Sequence, residues 1–168
     1  MAAQVGRTVA RYLKIFCDDS GGTLREFPVD SVNGVGLDYP AVDATAFQDA
    51  VRGVLLDTPD CKITVTGPID STAVAAASAS GAAPSLSGSH TVLSGIVGAN
   101  TPLAFGIASG VRQYYTTGEP CFGLNYGATS GFLCSKYSPD FGSGKYSAEF
   151  VVFAGSVAPS WLNAIPTS

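Results

Sequence analysis

Short alternating runs, broken by glycine, proline and aspartate turns, limit the folds open to this chain more than any other feature. "CKITVTG" (61–67) sets Ile63 and Val65 against Lys62, Thr64 and Thr66, and a period of two places one set on each side of a strand. Comparable runs recur as "TLREFPV", "PLAFGIA", "VRQYYTT", "CFGLNYG", "GFLCSKYS" and "KYSAEFVVFAG". Thr8 to Cys17 also reads as a strand, and "DDSGG" after it supplies a turn because Asp and Ser bond their own backbone. Pro28 confines the end of the second run to an edge or a bulge, and a third extended segment begins near Ser31, with Asn33-Gly34 suited to a tight turn. "VDATAFQDAVRGVLLD" (42–57) carries Ala46, Phe47, Ala50 and Val51 at helical spacing, yet Thr45, Val54 and the flanking turns favour extended backbone. The best helix candidate is "SGSHTVLSGIV" (87–97), with Ser89 as N-cap and Val92, Leu93, Ile96 and Val97 as its apolar stripe. The expectation is a mainly β protein, a sandwich or barrel of about nine or ten strands with one short flanking helix.

With 168 residues the chain can bury roughly 70% of the surface its unfolded form would expose, so one core suffices. Residues 1–156 read as one β-sandwich domain and 157–168 as a C-terminal arm. Within the domain, 71–89 ("STAVAAASASGAAPSLSGS") is nearly free of large side chains and reads as a long mobile loop, which a neighbouring copy could order. The arm carries Trp161, Leu162 and Ile165 between Pro159 and Pro166, prolines expected to keep it out of the sheet ladder. These three side chains are candidates for contact between subunits, with packing on their own domain as the alternative.

Charged residues make up 13% of the chain and apolar ones 46%, against about 25% charged in an ordinary soluble domain. Weak repulsion between copies suits a protein that touches its own kind or other proteins over a wide area, and the same composition equally suits a secreted or merely Gly-rich β-protein. The net charge of −4 and the lack of a Lys/Arg cluster argue against tight nucleic-acid binding, which rests on counterion release. Arg7, Arg11 and Lys14 interrupt "MAAQVGRTVARYLKIF", so no signal-peptide core is expected, nor any membrane-spanning run. Cys17, Cys61, Cys121 and Cys134 lack metal-ligand spacing and are expected as reduced, partly buried thiols, with two disulfides as the alternative were the chain to mature in an oxidising compartment.

Catalytic signals are weak. His90 lies beside Ser87 and Ser89, but adjacency in sequence does not make a triad, and no G-x-S-x-G elbow occurs. "GSGK" (142–145) falls short of a phosphate loop because Pro139 and Tyr146 stand where a glycine and a hydroxyl residue are needed, so a hairpin turn is expected. The acid pairs Asp18/Asp19 and Asp57/Asp60 belong to turns. No enzyme activity and no cofactor are expected.

Between Asp18 and Asp70 the chain carries Asp18, Ser20, Gly21, Leu24 and Arg25 in a first hairpin, Val32 in "VDSV", Asp43, Thr45 and Phe47 in "DATAF", and Gly67 and Asp70 in "GPID". In these residues it resembles the tail tube (major tail) proteins of long-tailed bacteriophages. "FGSGKYSAEFVVF" (141–153) is similar to that family's closing hairpin. The resemblance implies a β-sandwich with one flanking helix whose copies form rings, commonly of six, stacked into a hollow tube through which DNA leaves the capsid. Partners would be further copies and other tail proteins, with DNA passing unbound. The location would be the virion tail, after synthesis in the host cytoplasm. An acidic lumen would repel a passing phosphate backbone, and Asp57, Asp60 and Asp70 are the candidate lumen charges. Competing readings are a capsid decoration or other head-attached protein, and a carbohydrate-binding adhesin module that stacks sugars on Tyr114, Tyr115, Tyr126 and Trp161.

Overall fold

The computed structural model describes residues 10–48, 50–73, 84–111 and 114–168. A 3₁₀ turn at Ala10–Tyr12 precedes β1 (Lys14–Asp18), β2 (Leu24–Phe27), β3 (Ser31–Asn33), β4 (Ala41–Asp43), β5 (Val54–Leu56), β6 (Lys62–Pro68) and β7 (Ser85–Leu86). Helix α1 (Ser89–Ile96) follows, then β8 (Phe105–Ala108), β9 (Cys121–Leu124), β10 (Phe132–Asp140), β11 (Lys145–Val152) and β12 (Ser160–Leu162). The strands form a six-stranded sheet in the order β12-β9-β8-β1-β2-β7, a four-stranded sheet β10-β11-β6-β3, and the separate pair β4-β5. Neither large sheet closes on itself, so the mainly β fold is sandwich-like and not a barrel.

Each hairpin is fixed by the turn chemistry its sequence announces. After β1, Asp19 Oδ1 accepts the N–H groups of Gly21 (2.9 Å) and Thr23 (3.0 Å), while its Oδ2 takes Arg25 Nε at 2.8 Å. Between β10 and β11, Asp140 Oδ1 accepts from Gly142 N–H at 2.9 Å and Gly144 takes φ +70°, so "GSGK" is a hairpin turn.

Alternation then builds the core. Ile63 and Val65 of β6, and Tyr146, Ala148 and Phe150 of β11, turn inward and are fully or almost fully buried. From the six-stranded sheet, Phe105 lies 4.9 Å from Phe132 and 4.3 Å from Phe150 between ring centroids. Val92, Leu93 and Ile96 of α1 join the same cluster.

Several sequence expectations need correction. The first strand starts at Lys14, after the 3₁₀ turn at Ala10–Tyr12, and Thr8 and Val9 lie outside the described residues. It is buried on both sides, because its outer side, with Phe16, is covered by Tyr115 and Ile165. In "VRQYYTT", Val111 and Tyr114 to Thr117 form no strand. Tyr115 instead sets its ring edge-on to Phe16 at 5.8 Å and donates its hydroxyl to Glu119 O at 3.0 Å. Among the described residues of 42–57, only those near the two ends form strands, which pair as β4 and β5. Gly88, not Ser89, is the N-cap of α1. Ser89 is the first helical residue, and its hydroxyl donates to Pro68 O (2.7 Å) and accepts from Asp70 N–H (3.1 Å), tying α1 to the end of β6.

Of the 71–89 loop, residues 74–83 lie outside the described residues. Its far end is built in: Ser85–Leu86 pair parallel with β2, and Ser87 to Ser89 are buried. The prolines of the tail do not exclude it from the ladder, because Ser160–Leu162 pair with β9 in the gap between Pro159 and Pro166. Beyond that strand the chain folds back over the outer side of the six-stranded sheet. A Cβ at Gly106 would stand 2.6 Å from Pro166 Cγ, so glycine is what admits the tail there.

Asp18 is buried with one carboxylate oxygen accepting from Ala104 N–H at 2.8 Å and the other without a hydrogen-bond partner among the described residues. Burial pushes its pKa up, outweighing the lowering effect of the Ala104 bond and of Ser168. A carboxyl raised in the folded state stabilises the fold below its ordinary pKa and loses that contribution as pH rises through the raised value. Stability of the parent relative to Asp18→Asn should therefore fall as pH climbs above the usual carboxylate range, read from thermal unfolding across pH; a constant difference would contradict this. Phe105→Ala should cost about 3–5 kcal/mol in urea unfolding, and a loss under about 1 kcal/mol would show that the sheets are joined elsewhere.

Candidate assembly surface

The pair β4-β5 stands apart from both large sheets and carries apolar side chains that nothing among the described residues covers. Val42 pairs with Leu55 and Ala41 with Leu56 across the hairpin, yet Leu55 and Leu56 are 66% and 67% exposed. Val51 and Val54 are open as well, and Phe47 near the tip is fully exposed. Single exposed apolar residues are ordinary, but this many on one small hairpin are not.

The hairpin is stiffened from within. Thr45 Oγ1 accepts from Gly53 N–H at 3.0 Å, and Asp43 Oδ1 accepts from Thr45 N–H at 2.9 Å. Thr45 holds the Asp43 carboxyl below its usual pKa, and Arg52 pairs with the same carboxylate at 3.1 Å. At its foot, Asp57 N–H donates to Pro40 O at 2.8 Å, and Asp38 and Asp60 exchange two backbone bonds of 3.0 and 2.8 Å. An open groove beside the foot is lined by Leu37, Pro59, Cys61, Val152, Val157 and Pro159.

The sheet margins differ from one another. In the six-stranded sheet, β12 sits between Pro159 and Pro166, and β7 follows Pro84, a common way of blunting an edge. In the four-stranded sheet, the start of β10 is occupied: Phe132 exchanges bonds with Leu103, and Cys134 O accepts from Gly98 N–H. From Ser135 to Asp140 that edge has no strand partner among the described residues, with Pro139 giving it no N–H at one position, and β3 forms the opposite margin.

The sequence-derived candidates fall in several places. Asp57, Asp60 and Asp70 are all turn residues: their carboxylates accept from Thr58 N–H, Cys61 N–H and Thr72 N–H respectively, at 2.7, 2.8 and 2.8 Å. Thr72 keeps the Asp70 carboxyl below its usual pKa. Trp161 packs edge-on against Phe122 at 5.2 Å but keeps more than half its surface open. Leu162 is half-buried, and Ile165 packs with Phe16 and Cys121 on its own domain. Tyr114 and Tyr126 are exposed, while Tyr115 covers Phe16.

His90 shares a 2.9 Å hydrogen bond with Tyr137 OH, away from the partners of Ser89. All four cysteines are buried and free, with burial pushing Cys121 up to about 12. Among the described residues there is no group of three or more His, Cys, Asp or Glu placed to hold a metal, and no helix is long and apolar enough to cross a membrane.

The exposed hairpin is the feature that reading the sequence missed. Val54, Leu55 and Leu56 are consecutive and apolar, a run that by its period reads as a buried strand and so hid the exposure.

No protein-family model and no curated protein matches the chain by sequence. Its fold does have counterparts among solved structures. One is a chain from the sheath–tube complex, in the extended state, of an extracellular contractile injection system named PVC, with TM-score 0.52, 8% identity and coverage of 95% of this chain and 94% of that one. Another comes from the sheath/tube terminator of the same kind of system in its extended state, with TM-score 0.54, 10% identity and coverage of 96% and 99%. At such identities the likeness is one of fold, and over nearly its whole length this chain has the fold of those particle components.

Proposed function

We propose that this chain is a structural subunit of a phage-type tail tube, whose copies close into rings, commonly of six, that stack into a hollow conduit for DNA. The observation that carries the reading is the stiff apolar hairpin β4-β5. A folded chain gains nothing from holding Phe47, Val51, Leu55 and Leu56 in water, whereas a neighbour that covers them gains roughly 25 cal/mol for each Å² of apolar surface removed from water. The sequence resemblance to tail tube proteins and the shared fold with chains of sheath–tube particles support the same reading.

Two kinds of contact follow from the geometry. The open edge of β10 and the margin β3 are on opposite sides of one sheet, so joining one copy's β10 to the next copy's β3 is a head-to-tail contact, and such contacts close into rings when the rotation permits. Main-chain hydrogen bonds supply the affinity. The hairpin then reaches out of the ring to the next one, with the groove at Leu37, Cys61 and Val152 as the seat it offers in return. Trp161, with its open outer surface, adds a contact at the six-stranded margin. Other tail proteins meet the terminal rings, and the finished assembly resides in the virion tail.

Leu55→Asp with Leu56→Asp tests this directly. Both side chains touch water already, so the monomer should keep its unfolding free energy within about 0.5 kcal/mol, while electron microscopy should show hollow tubes from the parent chain and none from the variant. Tubes of normal length from the variant would refute the stacking role. Antibodies that decorate only the head of the parent particle would refute the tube itself.

A further inference from the structure

Beside the turn between β1 and β2 lies an open cavity of about 390 Å³, bordered by that turn, the last turn of α1, the link from α1 to β8, Tyr126 and Ser168. Its lining is one-sided in charge. Asp18 and Asp19 both reach it, and among the described residues no Lys, Arg or His does. Asp19 is fully engaged, with Arg25 on one carboxylate oxygen and the Gly21 and Thr23 N–H groups on the other. Asp18 is not. It is 2% exposed, and while one oxygen accepts from Ala104 N–H, its Oδ1 is buried without a hydrogen-bond partner. A buried polar atom left unpaired costs the fold stability, and one that lines a cavity has room to gain a partner.

Helix α1 adds negative potential from the facing side. The N–H groups of Gly98 and Ala99, which an unbroken helix would close onto Ser94 and Gly95, go instead to Cys134 O at 3.0 Å and Ile96 O at 3.3 Å. The helix therefore ends on carbonyls it does not close, and its last residues, Gly95 and Ile96, line the cavity. Such an end carries partial negative charge and favours a cation. The rest of the lining sets the kind of cation. Ile96, Ala99, Pro102 and Leu103 are apolar, and Tyr126 keeps half its ring open. A metal ion wants several oxygens closing on one point, and among the described residues no group of three or more His, Cys, Asp or Glu is placed to hold one. Apolar walls with one unpaired acid suit an organic cation instead.

We infer that this cavity binds an alkylammonium ion, with the ammonium seated between Asp18 Oδ1 and the open end of α1 and the alkyl stem laid against Pro102, Leu103 and Tyr126. A lysine side chain of another polypeptide and a small free amine both carry this group. Ser168, which lies against the Asp18 carboxyl and is itself exposed, yields to the incoming cation. Burial raises the Asp18 pKa, and a cation beside it lowers it again, so ligand and ionised carboxylate stabilise each other. The site belongs to the single subunit and does not depend on tube formation.

Calorimetric titration of the free subunit at neutral pH tests it, with n-butylammonium, Nα-acetyl-lysine methylamide and calcium as probes. An amine should bind, and Asp18→Asn, which keeps the shape of the side chain, should weaken it about tenfold or more. Thr101→Lys changes an exposed residue on the border of the cavity, so it leaves the core intact, and its tethered ammonium should block the added amine. Binding of the capped lysine assigns the site to a side chain of a partner polypeptide, and binding of butylammonium alone assigns it to a free amine. The inference is overturned if neither amine binds, if Asp18→Asn and Thr101→Lys bind as the parent does, or if calcium displaces the amine.

Discussion

Phe105, packed against Phe132 and Phe150, is the seam on which the rest of the molecule depends. It joins β8 of one sheet to β10 and β11 of the other and gathers Ile15, Cys17, Ile63, Val65 and the buried stripe of α1 around it. Aromatic rings at such spacing add roughly 0.5–1.5 kcal/mol beyond the area they bury. With this seam made, the domain has no further need of its outlying apolar residues. That is why the hairpin β4-β5 can keep Leu55, Leu56 and Phe47 in water without endangering the fold.

The seam also sorts the surface. One side of the sandwich is finished internally: Pro166 lies on Gly106, Tyr115 lies on Phe16, and β12 shields the edge of β9. The other side is left open, with a bare polar face and a β10 edge lacking a strand partner from Ser135 to Asp140. Exposed edges and exposed apolar arms are hazards for a protein that works alone. Here they lie at separate sites, an arrangement that permits one neighbour to pair along the sheet and another to cover the hairpin. The low charge of the chain removes a long-range obstacle to both.

How much of this could be read from the sequence depended on whether a residue's fate is local. Strand period and turn chemistry are local, so β6, β11 and the hairpins at Asp19 and Asp140 were legible, as was helix α1. Its N-cap was misjudged because Ser89 bonds Pro68 and Asp70, residues about twenty positions away. "VRQYYTT" has strand composition, but Tyr115 is used to roof Phe16, which only the assembled sheet reveals. The tail strand was missed because two prolines were read as a barrier when they fall just outside the three paired residues. Of the candidate site, the expectation that copies touch one another came from the low charge of the chain and from the resemblance to tail tube proteins. The hairpin did not, since 42–57 gave mixed periods and nothing in a lone sequence tells an apolar run in the core from one in water.

Hydrogen exchange on the free subunit and on assembled protein probes the joint most directly. The account predicts that amides of Val54 to Leu56, and those amides of β10 between Ser135 and Ser138 that face away from β11, exchange faster in the free subunit than those of Phe105 and Phe150 and become strongly protected on assembly, while Phe105 and Phe150 stay protected in both. Unchanged exchange at those two segments, with new protection confined to other surfaces, would contradict it.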